Sequence, residues 1–148
     1  DKGEVPEGEY IIPLGVADTK REGTDVTIVS FGKIIKEAYK AADELAKDGI
    51  SCEIIDLRTI RPLDIDAIIE SVKKTNRLVI LEEAWPYGNI STEITYQVQE
   101  KAFNYLDAPI KRINTADTPA PYSPVLLAEW LPDYTDVIKE VKEVLYVK

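Results

Sequence analysis

Asp56-Leu57-Arg58-Thr59-Ile60-Arg61-Pro62-Leu63-Asp64 runs from the end of one predicted strand into the start of the next predicted helix. Pro62 has no backbone N–H to donate, so it breaks regular structure between the two elements. Asp64 is a residue type typical of a helix N-cap, and apolar residues at helical spacing follow it. The apolar run at 51–57 predicts a buried strand. The stretch therefore predicts the strand-to-helix connection of a βαβ unit.

The alternation of strand and helix continues on both sides of this stretch. Each predicted strand is short and apolar, and each predicted helix carries apolar residues along one face. In chain order, the predicted elements are short extended segments at 10–12 and 16–19, a turn at 21–25, a strand at 26–31, a helix at 33–47 ended by Gly49, a strand at 51–57, a helix capped by Asp64, a strand at 78–81, a helix opened by Gly88-Asn89, a strand at 110–114, a proline-rich loop at 118–124, and a last helix carrying Val137 to Leu145.

Strands joined by helices of these lengths imply right-handed βαβ crossovers. The predicted fold class is α/β, a three-layer α/β/α sandwich whose sheet is mostly parallel, has about five strands and ends in an antiparallel edge strand. The segments at 16–19 and 26–31 predict an edge hairpin that leads into a central strand. Residues 1–8 are acidic and contain glycine and proline, which predicts a linker remnant, so the domain occupies residues 9–148.

Composition excludes several classes of function. The net charge is −9 with no cluster of Lys and Arg, which argues against nucleic-acid binding. No apolar run approaches the ~18 residues that a membrane span needs. The chain has no histidine, which removes the commonest general base and metal ligand. The single cysteine, Cys52, lies in an apolar strand, which predicts a buried, inert thiol.

Polar residues follow the predicted parallel strands, where ligands of open α/β sheets bind. A Rossmann glycine motif and a Walker loop are both absent, so a nucleotide site is not indicated. Glu82 and Glu83 are adjacent on a strand and point to opposite faces, so they do not easily share one ligand. We expect structural ion pairs here, with one of the two carboxylates bound to Arg58 or Arg61. The candidates for these ion pairs are Asp56, Arg58, Arg61, Glu82 and Glu83.

Large aromatic residues stand beside prolines in two predicted loops, Trp85-Pro86-Tyr87 and Trp130-Leu131-Pro132. Tryptophan and tyrosine are common both in interface hot spots and at the rims of small cores, so both roles stay open. The proline-rich loop is expected to be a stiff crossover, with peptide recognition as the alternative. The candidate interface residues are Trp85, Tyr87, Gly88, Ile90 and Ile94.

Taken in order, several segments resemble the C-terminal domain of the beta subunit of thiamine-dependent 2-oxoacid dehydrogenases, a domain of the transketolase C-terminal type. The resemblance covers nearly the whole chain from about residue 9. The chain departs from the family after Glu83, where many members have a glycine-rich run and this chain has bulkier residues at 84–94. The matching segments are 22–30, 55–64, 71–77, 81–86, 106–112 and 117–122.

The resemblance implies a place in a larger enzyme that converts a 2-oxoacid, with pyruvate expected. In that family, thiamine diphosphate and Mg²⁺ lie between the alpha subunit, which carries Gly-Asp-Gly, and the N-terminal domain of the beta subunit. The resemblance implies no cofactor and no catalytic or metal-binding residue in this chain. It implies partners instead: a second beta subunit, the alpha subunit, and the basic subunit-binding domain of the acyltransferase core.

The expected function is therefore assembly rather than catalysis, in a cytoplasmic bacterial enzyme. An alternative is an engineered self-assembly or binding module on the same scaffold. The chain has no methionine, which suggests an excised or engineered piece. A third hypothesis is a small-ligand site at the strand ends.

Overall fold

A computed structural model describes residues 7–147 of the chain. The predicted helices are present and so are the predicted strands from 16–19 onward, with one helix that the sequence pattern did not predict. The strands are β1 (Asp18–Arg21), β2 (Val26–Ser30), β3 (Cys52–Asp56), β4 (Leu78–Leu81) and β5 (Lys111–Ile113), and the helices are α1 (Ile35–Lys47), α2 (Ile65–Thr75), α3 (Ile90–Ala102), α4 (Pro124–Trp130) and α5 (Tyr134–Val144), with 3₁₀ turns at Gly32–Ile34 and Phe103–Tyr105.

The five strands form one sheet in the order β1-β3-β2-β4-β5. β3, β2, β4 and β5 are parallel, and β1 is antiparallel to β3 at the edge. Helices α1 and α5 pack together on one face, while α2 and α3 pack together on the other. The predicted three-layer α/β/α sandwich with an antiparallel edge strand is confirmed.

The central strand β2 explains why the sheet is covered on both faces. All five of its residues are buried, and its side chains alternate between the two cores. Ser30 aligns with Asp56 on one neighbouring strand and with Leu81 on the other. The carboxyl ends of the parallel strands therefore lie at one edge of the sheet.

The predicted edge hairpin is wrong. β1 pairs with β3 rather than with β2, because both sides of β2 are already occupied by the parallel strands β3 and β4. The chain turns beneath β3 at Gly23, where a Cβ atom would lie 2.2 Å from the backbone carbon of Cys52. Only glycine fits this close approach.

Three further sequence predictions differ from the structure or lie partly outside the described residues. Residues 10–12 are not part of the sheet, and the predicted linker at 1–8 lies mostly outside the described residues. Helix α4 begins inside the predicted loop, with Pro124 in its first turn, a position that proline favours. None of its seven residues is buried. The helix therefore has no buried apolar face, and an amphipathic pattern could not have predicted it.

Two predictions about single residues are confirmed. Asp64 caps α2, since its side chain accepts a hydrogen bond from the backbone N–H of Ala67 at 3.2 Å. Cys52 is fully buried, and burial raises the pKa of its thiol to about 12. A thiol in this state is not a nucleophile near neutral pH.

A chain of buried polar side chains joins β2 and β3 to α2. The Glu53 carboxylate accepts hydrogen bonds from Ser71 Oγ at 2.5 Å and from the backbone N–H of Gly23 at 3.2 Å. Thr27 extends the chain through Ser71. Lys74 binds Glu53 and also lies 2.8 Å from Glu22, and these two bonds raise the pKa of Lys74. The network compensates the burial of the Glu53 charge.

We expect Lys74→Met to lower the free energy of unfolding by about 1–2 kcal/mol, measured by urea denaturation. Removing one partner of a fully buried pair costs roughly 3–5 kcal/mol, and we expect less here because the Lys74 side chain is 42% exposed. The matched control is Lys73→Met, since Lys73 pairs with the exposed Glu70 and should matter little. Equal effects of the two substitutions would contradict a structural role for the Glu53 network.

Candidate contact surface at the carboxyl end of the sheet

The carboxyl ends of β2 and β4 form the switch point of the sheet. The chain leaves β2 toward α1 on one face and leaves β4 toward α3 on the other. Ligands of open α/β folds bind at such a crevice. The loop after β4, residues 82–89, starts here, and it contains half of the interface and ion-pair residues that the sequence predicts.

Glu82 does not form the predicted ion pair with Arg58 or Arg61. It is fully buried at the end of β4, and its Oε1 accepts hydrogen bonds from Asn114 Nδ2 at 2.9 Å and from the backbone N–H of Ser91 at 3.3 Å. Within residues 7–147, its Oε2 has no hydrogen-bond partner. Glu82 therefore ties the first turn of α3 to the end of β5.

Arg58 forms an ion pair, but its partner is Asp18 on the edge strand, at 2.5 Å. The pKa of Asp18 is lowered, first because Lys20 donates a hydrogen bond to it and further by the charge of Arg58. Asp56 accepts a hydrogen bond from the backbone N–H of Arg58 at 3.1 Å. In the part of the chain that the structure describes, no salt bridge joins Arg61 or Glu83 to the other candidates. The sequence pattern did not indicate Asp18 as the partner, because Asp18 is far from Arg58 in the chain.

The predicted interface residues separate into exposed and buried ones. Tyr87 is 89% exposed and Trp85 51% exposed, whereas Ile90 is half-buried. Gly88 has φ +70°, and a Cβ atom there would meet open space. Ile94 is fully buried in the core between the sheet and the α2–α3 layer. Ile94 is therefore wrong as a contact residue, because its four-residue spacing from Ile90 marks the core face of α3.

Arg112 on β5 fixes the loop relative to α3. Its Nη1 donates to the carbonyl of Pro86 at 3.1 Å and to Thr92 Oγ1 at 3.0 Å. Asn89 caps the helix, and its side-chain amide also donates to the carbonyl of Trp85. The sequence analysis did not assign a role to Arg112 or Asn114, although both lie on the last predicted strand, at 110–114.

The two tryptophans share one acceptor. Trp85 Nε1 lies 2.9 Å from the carbonyl oxygen of Thr118, and Trp130 Nε1 lies 2.8 Å from the same atom. These bonds join the loop after β4 to the proline-rich segment and to the end of α4. Trp85 thus has a packing role and still exposes half of its surface.

Beside this loop lies an open depression of about 460 Å³ between the start of α1 and the connection from α4 to α5. Its walls include Lys33, Glu83, Leu127 and Leu131, so they are partly charged and partly apolar. Among residues 7–147, no group of three or more histidine, cysteine or acidic side chains is placed to hold a metal ion. In the same range, no helix is long and apolar enough to cross a membrane.

A mostly parallel five-stranded sheet with two helices on each face defines a three-layer α/β/α domain. The family described as "Transketolase, C-terminal domain" matches residues 15–137. The chain belongs to this family.

Two relatives from Bacillus subtilis (strain 168) are similar over almost all of this chain. The acetoin:2,6-dichlorophenolindophenol oxidoreductase subunit beta is 50% identical over 97% of the chain, and the pyruvate dehydrogenase E1 component subunit beta is 47% identical over 96%. The matches cover 42% and 43% of those proteins. The chain therefore spans less than half the length of the curated relatives it matches.

A solved structure described as a split gene transketolase, inactive beta4 tetramer, superimposes on 99% of the chain with a TM-score of 0.81 and 25% sequence identity. The match covers 46% of that protein. The similarity supports the fold along the whole described chain.

We expect Asn114→Ala to lower the free energy of unfolding by about 1–3 kcal/mol, because it leaves the buried Glu82 carboxylate with one donor instead of two. Glu82→Gln should cost much less, since an amide oxygen can accept from the same two donors. Urea denaturation of both variants measures the difference. A Glu82→Gln variant as unstable as Asn114→Ala would show that the second carboxylate oxygen is required.

Proposed function

We propose that this chain is the assembly domain of the beta subunit of a thiamine-dependent 2-oxoacid dehydrogenase, with pyruvate as the substrate of the intact enzyme. The observation that carries the proposal is the exposed loop at Trp85 and Tyr87, whose backbone carbonyls accept hydrogen bonds from Arg112 and Asn89. Exposed aromatic residues on a rigid support are typical anchors of protein interfaces. The similarity to beta subunits along almost the whole chain supports the same function.

In this proposal, the loop and the start of α3 contact a second copy of the chain. Tyr87 and Trp85 supply apolar area, while Gly88 and Ile90 shape the turn between them and the helix. The solved relative is described as a beta4 tetramer, which supports self-association of chains that contain a domain of this fold. The alpha subunit is the further partner in the intact enzyme.

Thiamine diphosphate and Mg²⁺ belong, in this proposal, to other parts of the intact enzyme. Magnesium in such sites needs carboxylate and carbonyl oxygens held together. The described residues do not bring three acidic side chains together in such a group.

The acidic balance of the chain supports a third contact, with the basic subunit-binding domain of the acyltransferase core. A net charge of −9 favours approach of a basic partner and makes the approach dependent on salt. Acetoin is a second candidate substrate of the intact enzyme, because the beta subunit of the acetoin oxidoreductase is as similar to this chain as the beta subunit of pyruvate dehydrogenase.

We expect the purified chain to form dimers in a concentration series measured by light scattering, and Tyr87→Ser to weaken the dimer by about tenfold, the loss of one moderate hot spot. The matched control is Tyr122→Ser, because Tyr122 is also a fully exposed tyrosine but lies outside the proposed contact. A chain that remains a monomer at all concentrations would contradict the proposal, and a closed oligomer larger than the tetramer of the relative would favour an engineered assembly.

We also expect the chain alone to release no CO₂ from pyruvate in the presence of thiamine diphosphate and Mg²⁺, because the proposal places the residues that hold them in other parts of the intact enzyme. The readout is a coupled or isotopic assay against a buffer blank. Turnover above the blank that survives further purification would show that the chain is itself catalytic.

A further inference from the structure

The open depression of about 460 Å³ beside the loop after β4 lies near the switch point of the sheet, where small molecules bind in open α/β folds. Ligand clefts usually enclose roughly 300–1,000 Å³, so the depression is large enough for a small molecule. One wall comes from the turn before α1 and carries Lys33, and a second comes from the loop and carries Glu83. The third wall comes from α4 and its connection to α5, and it carries Leu127, Leu131 and Pro132.

The other two acidic residues of the depression are bound to donors within the chain. Glu37 accepts a hydrogen bond from Lys40 Nζ at 2.7 Å and another from the backbone N–H of Tyr134 at 3.2 Å. Asp133 caps α5 and accepts hydrogen bonds from the first turn of that helix. These two carboxylates therefore stabilise the helices around the depression, and Glu83 is the acidic residue whose charge faces a ligand.

Lys33 and Glu83 line the same depression without being paired. Both side chains are exposed, and among residues 7–147 neither forms a salt bridge or a hydrogen bond. They are also too far apart to form a salt bridge with each other. Lys36 lines the depression about one turn after Lys33 and adds positive charge to the same wall. A molecule with a negative and a positive group a short distance apart would therefore bridge Lys33 and Glu83.

A second depression shows the difference that paired charges make. It measures about 410 Å³ and lies between the end of α1 and α5. Its charged residues pair within the chain, since Lys47 lies 2.7 Å from Glu44 and Lys142 lies 3.0 Å from Asp48. A charged ligand at that place would have to displace these partners. Binding at the switch point requires no such displacement.

We infer that the depression at the switch point binds a zwitterionic α-amino acid with an aliphatic side chain. The carboxylate of the ligand binds Lys33, its ammonium group binds Glu83, and its side chain lies against Leu127 and Leu131. A simple carboxylate would bring its negative charge close to Glu83, and a simple amine would bring its positive charge close to Lys33, so both match the site less well. The site uses none of the residues of the proposed dimer contact and is therefore independent of the proposed dimerisation.

Isothermal titration calorimetry of the full chain with four related probes tests the site. L-Leucine carries all three groups, whereas 4-methylpentanoate lacks the ammonium group, 3-methylbutylamine lacks the carboxylate and glycine lacks the side chain. We expect leucine to bind most tightly and each of the other three to bind at least about fivefold more weakly, because a charged contact contributes less at an exposed site than at a buried one but is not negligible. Equal binding of all four probes, or no saturable binding of leucine, would overturn the inference.

Two variants that remove one charge each show which wall binds which group. We expect Lys33→Met to weaken leucine binding at least about fivefold without weakening the binding of 3-methylbutylamine, because that probe has no carboxylate. Glu83→Gln should weaken leucine binding to a similar extent without weakening the binding of 4-methylpentanoate. The matched controls are Lys101→Met and Glu100→Gln, which remove the same charges from exposed residues of α3. Circular dichroism checks that all four variants are folded.

The remaining outcomes test the two charged contacts separately from the proposed dimerisation. Leucine binding that survives both Lys33→Met and Glu83→Gln would place the site elsewhere on the chain and overturn the inference. Binding of 4-methylpentanoate as tight as that of leucine would also overturn it, since Glu83 would then contribute nothing. A chain that binds leucine as expected and stays monomeric would support this site and contradict the proposed dimerisation alone.

Discussion

The burial of the central strands on both faces is the constraint on which the rest of the structure depends. β2 has five residues and β4 has four, and all nine are buried. Each face of the sheet therefore needs its own helical layer. Helices α1 and α5 cover one face, and α2 and α3 cover the other. The switch of the chain between these faces creates the crevice at the carboxyl ends of β2 and β4, and with it the exposed loop.

The same constraint decides where charge is tolerated inside the molecule. Glu53 and Glu82 are the two buried carboxylates of the described chain, and each joins strands to a helix. Glu53 bonds to α2 through Ser71 and Lys74, whereas Glu82 bonds to the start of α3 and to Asn114 beyond β5. Both carboxylates orient a helix as well as stabilise the core, since a buried acceptor that loses its donors is costly. The position of the contact surface therefore depends on a residue that is not itself part of it.

Most of the fold could be predicted from local patterns, whereas the exposure and the bonding partners of the candidate site residues could only partly be predicted. The run at 78–81 and the Asp64 cap are local signals, and the structure contains both. The strand that pairs with β1 cannot be predicted from local sequence, because it depends on which strand edges are already occupied. The hairpin prediction was therefore wrong. The ion-pair prediction for Glu82 failed for a similar reason, because its donors come from two other elements rather than from the neighbouring loop.

Helix α3 shows why a period of apolar residues does not by itself indicate an interface. Ile90, Ile94 and Val98 repeat at four-residue spacing, and this regularity marks the side that the sheet covers. Tyr96 lies outside this period and is 62% exposed, so the α3 residues that are available to a contact are those that the regular spacing leaves out.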